Sequence, residues 1–225
     1  LEQPFVLRGG YELYINASIG ISLFPGDAQS AAELIKNADA AMYQAKRRGR
    51  NTFSFYRAEL TRLANTRLAL ESRLRRALEE QRFEMYYQPL VGLGDGRILG
   101  AEALVRLRAD DGGVPIGPAE FIPVMEESGL IVELGRWVQR EVCRQGREWL
   151  DEGLRFELLA VNLSAEEVRR GGVVEQLRAA LEETGFPPEL LELEITESGL
   201  MQRGDEALAF LHELKVLGVR LSIDD

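Results

Sequence analysis

Histidine and cysteine are almost missing from these 225 residues, which hold one of each, His212 and Cys143. A single cysteine excludes an intrachain disulfide framework and fits a reducing compartment. Lying on a helical pattern, Cys143 reads as a small apolar core residue. His212 also sits in a helical pattern, so histidine-based catalysis lacks its residues. No apolar run approaches the roughly 20 residues that a membrane span needs, and no signal-peptide pattern opens the chain. Positive charge is in deficit: 27 Lys and Arg stand against 37 Asp and Glu, a net charge of −10. That balance disfavours nonspecific adhesion to a DNA or RNA polymer, whose phosphates demand a basic surface. It leaves room for a small anionic ligand held in a pocket with metals. The first residue is Leu rather than Met, so the chain is expected to be a piece of a longer protein. Its expected location is the cytoplasm, whether or not that longer protein is anchored upstream.

With 45% apolar and 28% charged residues, the composition is that of a soluble globular chain of one or two domains. Residues 11–24 alternate and then turn apolar, which predicts a strand with a bulge at Gly20. Ser30-Ala31-Ala32-Glu33 reads as a capping box opening a helix through Lys46, and Thr52–Tyr56 as a short strand. Residues 1–57 are therefore expected to be the tail of one domain. A helical pattern over 58–82, with Leu63, Leu70, Leu74, Ala77 and Leu78 on one stripe, suits a connecting helix whose end joins the next domain. From Phe83 the period changes. Strands are predicted at Phe83–Leu93 and Ile98–Leu107 around the turn Gly94-Asp95-Gly96. Helices follow at Pro118–Glu126 and Leu134–Glu152, then a strand at Phe156–Leu163 and the capping box Ser164-Ala165-Glu166-Glu167. A helix at Val173–Gly185, a strand at Leu190–Thr196, a helix at Asp205–Leu217 and a strand at Val219–Ile223 complete residues 83–225. Repeated βα units with short connections imply parallel strands, expected to be buried on both faces. An α/β barrel is the leading architecture and a doubly wound open sheet the alternative; both build their site at the C-terminal ends of the strands.

Acids and amides recur at those ends. Glu102 lies in an apolar strand run, where it needs a partner; a structural salt bridge is the competing reading. Asn162, just before Ser164, reads alone as a turn or capping amide. Glu194 is set in Leu193-Glu194-Ile195, and Asp224-Asp225 are adjacent acids at a strand end that repel each other without a cation. All five are oxygen donors, a set that selects Mg²⁺ or Mn²⁺ over zinc. Two such metals suit phosphodiester hydrolysis. Arg106 adds a candidate bidentate phosphate contact, with a surface ion pair as its alternative.

Six segments in order carry a resemblance: Tyr87-Gln88-Pro89-Leu90, Ala101-Glu102-Ala103-Leu104-Val105-Arg106, Phe121-Ile122-Pro123, Val161-Asn162-Leu163-Ser164, Leu193-Glu194-Ile195-Thr196-Glu197-Ser198 and Ile223-Asp224-Asp225. Residues 83–225 resemble the first part of an EAL domain, the cyclic di-GMP phosphodiesterase family. Residues 11–56 are similar to the last part of a GGDEF domain, the diguanylate cyclase family, through Ala17–Ser22, Ala38–Lys46 and Gly49-Arg50-Asn51. The fold implied is α/β: an incomplete TIM-like (β/α) barrel of the EAL type, preceded by a partial α+β GGDEF domain and the connecting helix.

The resemblance implies roles. Glu102, Asn162, Glu194 and Asp224 match metal ligands, and Asp225 matches the acid shared by two metals. Glu102, Asp224 and Asp225 are thus the catalytic candidates. Gln88 and Arg106 match ligand-contacting positions, and Glu197 matches an acid that holds a mobile loop. Leu107 departs from the Trp of many members. The implied reaction is hydrolysis of cyclic di-GMP to pGpG, by in-line attack of metal-activated water in the longer protein. The family's later Lys and Glu are not among these residues, so this piece by itself is expected to be inactive. A non-catalytic cyclic di-GMP receptor is the alternative. Lys46 and Arg50 match phosphate-touching positions of the cyclase family, but its signature loop is not here, so cyclase activity of this chain is not expected. The partners implied are cyclic di-GMP and a second copy, through the EAL domain or the connecting helix.

Overall fold

The computed structural model describes residues 5–6, 12–13, 16–109, 116–201 and 207–224, with Val6, Ser198 and Asp224 described in backbone alone. They divide into two compact units, the break falling between Leu70 and Glu71.

In the first unit β1 (Phe5–Val6) and β2 (Glu12–Leu13) pair antiparallel. Strand β3 (Ile19–Ile21) pairs in parallel with β4 (Phe53–Phe55), and helix α1 (Ala31–Arg47) crosses between them. Of the strand expected over residues 11–24, only β2 and β3 form among the described residues, since β3 finds partners at just three positions; residues 11, 14 and 15 lie outside the described residues. Gly20 marks no bulge. It pairs in register with Ser54, and a Cβ there would stand 1.8 Å from the Ala38 carbonyl oxygen of α1. The glycine is a point of close backbone approach. Ser30 caps α1, its hydroxyl accepting the Glu33 N–H at 3.3 Å. Glu33 does not complete the box: its carboxylate accepts the Gln29 N–H and the Ser30 hydroxyl instead.

Helix α2 (Ala58–Glu79) carries Leu70, Leu74 and Ala77 buried, whereas Leu63 is 55% exposed. It stops short of residue 82 because Gln81 turns left-handed and the Arg82 N–H bonds back to the Ala77 carbonyl.

The second unit is built on one sheet in the order β5 (Phe83–Val91), β6 (Ile98–Leu107), β7 (Leu158–Leu163), β8 (Leu191–Thr196), β9 (Arg220–Asp224). Strands β5 and β6 form an antiparallel hairpin; each later strand pairs in parallel with the one before. Between β6 and β7 run α3 (Pro118–Ser128) and α4 (Ile131–Asp151); between β7 and β8, α5 (Ala165–Arg170) and α6 (Val173–Thr184); between β8 and β9, α7 (Glu197–Met201) and α8 (Ala207–Leu217). Residues 205 and 206 of the helix expected before β9 lie outside the described residues.

The strands are not buried on both faces. Directly paired residues share a face, and in β8 Leu191, Leu193 and Ile195 are at most 1% exposed while Glu192, Glu194 and Thr196 are half-buried. Helices cover the apolar side: Phe83 meets Phe121 of α3 at 5.7 Å and Trp137 of α4 at 6.4 Å, and Tyr87 meets Trp149 at 4.7 Å. Each fully buried Leu or Ile there contributes about 1.5–3 kcal/mol. Cys143, fully buried on α4, is part of this core, and burial pushes its thiol pKa up to about 12. Sequential strand order with helices on one side is the arrangement of a TIM-like barrel. A doubly wound sheet reverses its order and carries helices on both sides.

Candidate active site

The second face of the sheet is polar, and register places the site residues on it. Gln88 stands opposite Glu102, Glu84 opposite Arg106, and Tyr86 opposite Leu104. In the parallel part Glu102 pairs with Ala160, Asn162 with Glu194, and Thr196 with Asp224. Gln88, Glu102, Arg106, Asn162, Glu194 and Asp224 therefore share one face, stepping toward the C-terminal ends of β6 to β9. Asn162 is two residues further along its strand than the partner of Glu102. That stagger lets its amide Nδ2 donate to Glu102 Oε1 at 2.7 Å. Among the described residues Glu102 is thus engaged by an amide rather than by a cationic side chain. Asn162 is no capping amide either, since the cap of α5 is Ser164.

Arg106 donates from Nη1 to its neighbour's carbonyl, Val105 O, at 2.9 Å, and its guanidinium lies 5.7 Å from the Tyr86 ring centre. The stacked, tethered head is held on the polar face, as a bidentate anion contact requires. Glu197 opens α7 directly after β8 and is exposed. The adjacent Thr196 hydroxyl accepts the Gly199 N–H at 3.2 Å, fixing that first turn. Asp224 ends β9, and its side chain is not described; Asp225 lies outside the described residues. Among the described residues no three His, Cys, Asp or Glu side chains come together as a metal cluster. The donors that do share the face are Glu102, Asn162 and Glu194, an all-oxygen set with an amide in it. Their chemistry fits a hard divalent cation.

Beside Arg106 and Asn162 opens a cavity of about 290 Å³, bounded also by Leu104, Ile122, Glu126 and Glu167. Two carboxyls here are displaced from the ordinary range. Burial, then the charges of Glu166 and Glu127, push the Glu126 pKa up. Glu167 is 5% exposed, and burial pushes its pKa up to about 7 against the opposing pull of its hydrogen bonds to Ser164. Glu126 is the charged neighbour that adds to the rise. The pattern at Ser164 and Glu167 announced a capping box, but not that its carboxylate would be buried beside the site; only the packing of α4 shows that.

A pH dependence follows. Below pH about 4.5 Glu167 is neutral in folded and unfolded chains alike. Between about 4.5 and 7 the unfolded chain releases the proton and the folded chain keeps it, so stability falls as pH rises, reaching its full loss above about 7. At 1.36 kcal/mol per pH unit the loss is on the order of 3 kcal/mol. Glu167→Gln is expected to remove this slope, gaining stability over the native protein at pH 8 but not at pH 4. Urea unfolding at both pH values measures it; identical slopes for the two proteins would exclude the buried ionisation.

Residues 71–225 match the family model described as "EAL domain", and residues 2–52 match "Diguanylate cyclase, GGDEF domain". Over its whole length the chain is 44% identical to "Bifunctional diguanylate cyclase/cyclic di-GMP phosphodiesterase MucR" of Pseudomonas aeruginosa, covering 33% of that protein. It is 40% identical to "Cyclic di-GMP phosphodiesterase NbdA" of the same organism, covering 28%. The chain thus spans about a third of the length of these curated relatives. Among solved structures, "PaMucR Phosphodiesterase, c-di-GMP complex" superimposes with a TM-score of 0.66 at 43% identity, covering 70% of this chain and 63% of that one.

Proposed function

The chain belongs to the EAL-domain family, with the end of a GGDEF domain ahead of it, and on that premise we propose that the protein hydrolyses cyclic di-GMP to pGpG in bacterial second-messenger signalling. The observation that carries the proposal is the contact between Asn162 and Glu102 on the face that also bears Glu194. Glu102, Asn162, Glu194, Asp224 and Asp225 would hold two Mg²⁺ or Mn²⁺ ions. When bound, such ions activate water and neutralise charge developing on the phosphate. The chain's own residues do the rest. Arg106, tethered and stacked, binds a phosphate oxygen pair. Gln88, one hairpin rung from Glu102, orients the ligand. Glu197 holds a mobile active-site loop. Self-association through the EAL domain or α2 belongs to the same proposal; on α2, Leu63 and Leu68 are 55% and 62% exposed. No helix among the described residues is long and apolar enough to cross a membrane.

The test is to incubate the intact protein with cyclic di-GMP and Mg²⁺ or Mn²⁺ and follow pGpG by chromatography, with and without EDTA. Cation-dependent product is expected. Tight binding without product would replace the enzyme by a receptor.

A further inference from the structure

We propose that Glu167 is a positioning residue for Asn162, clamping the end of β7 so that the Asn162 amide oxygen is presented to a divalent cation. The inference rests on the metal-site reading above and adds a residue to it. Asn162 and Ser164 are separated by one residue, Leu163, itself 2% exposed. The chain leaves the sheet there, and its direction sets where the Asn162 side chain points. Two reciprocal hydrogen bonds fix that exit: the Ser164 N–H donates to Glu167 Oε2 at 3.0 Å, and the Glu167 N–H donates to Ser164 Oγ at 3.2 Å.

An ordinary capping carboxylate sits in water and moves with a short, fraying helix. This one does not. It is buried against the bare backbone of α4, where a Cβ at Gly135 would stand 1.7 Å from Glu167 Oε1. Val168, next to it, is fully buried and holds the same turn. The six-residue α5 is thus tied to the long α4, and the end of β7 inherits the rigidity of that helix. One step further, the Asn162 Nδ2 is held by Glu102. An amide engaged through its nitrogen offers its oxygen to the cation. Burying a carboxyl is costly, and here that cost fixes a strand end, in the way supporting hydrogen bonds fix the ligands of metal sites generally.

The experiment measures Mn²⁺ binding directly, by electron paramagnetic resonance of free Mn²⁺ titrated into the intact protein, well below its melting temperature. Native protein is compared with Glu167→Ala, Glu167→Gln and Asn162→Ala. Glu167→Ala is expected to weaken binding about 10-fold or more, the usual scale for a residue supporting a metal ligand. Glu167→Gln keeps an acceptor for the Ser164 N–H and should bind within about twofold of native. If Asn162→Ala weakens binding and Glu167→Ala does not, the positioning role is overturned while the metal site stands. If neither weakens it, the metal reading of Asn162 fails and takes this one with it. A purely structural role would shift melting temperature in the Glu167 variants without separating their affinities. Should Glu167→Ala not fold, Ser164→Ala removes the other half of the clamp and carries the same expectation, a several-fold loss; native-like affinity there overturns the proposal.

Discussion

Replacing Glu102 by alanine is expected to lower cyclic di-GMP hydrolysis by about 10³-fold or more while leaving the fold intact. Glu102 is half-buried on the polar face, so its truncation opens no cavity in the helix-covered core. What it removes is an oxygen donor and the partner of the Asn162 amide. Metal stabilisation of phosphoryl charge is worth several kcal/mol, and about 4 kcal/mol corresponds to about 10³-fold in rate. Initial rates at saturating Mn²⁺, read beside melting temperature, separate loss of chemistry from loss of fold. Glu102→Gln should fail nearly as badly, because a neutral amide cannot offset cation charge. Native-like turnover in either variant would remove Glu102 from the site.

A larger structural lesion is expected two residues earlier. Gly100 faces Leu158 in the parallel pairing of β6 and β7, and a Cβ there would lie 2.0 Å from the Leu158 carbonyl oxygen. The obstacle is backbone, so no side chain can rotate away. Gly100→Ala must push the strands apart, at the upper end of overpacking costs, about 3 kcal/mol, plus about 1 kcal/mol for each ladder hydrogen bond lost. About 4 kcal/mol in all corresponds to a fall of roughly 8–16 °C in a unit of this size. Calorimetry of the intact protein measures it. A shift under about 2 °C would mean that β6 and β7 are not held in this register.

The strands β5 to β8 were legible as apolar runs bounded by turn residues. The strand ends could be read from composition and turn residues, and Ile98–Leu107 forms as expected. What the sequence could not supply is register. Nothing in it says that Glu102 pairs with Ala160 rather than Asn162, yet that two-residue stagger makes the 2.7 Å contact. Burial on both faces was expected because the strands look apolar when read as runs. Read by face, every acid falls on one side. Gly20 shows the same limit: a glycine in a strand signals either a bulge or a close neighbour, and only the position of α1 decides. The burial of Glu167 was hidden for a similar reason, since its cover comes from Gly135, a residue distant in sequence.

The separation of the two faces bears on how such a protein changes over generations. Substitutions among Gln88, Glu102, Asn162 and Glu194 fall on the polar side, while Leu159, Val161, Leu193 and Ile195 keep the helices attached. Mutation can strip side chains from the polar face one at a time without unfolding the molecule. A lineage that loses the proposed turnover this way still inherits a folded pocket with Arg106 in place, and selection can act on ligand sensing alone. Hydrolysis and sensing are neighbouring points on one accessible path, and a gene duplicate needs few steps to pass from the first to the second.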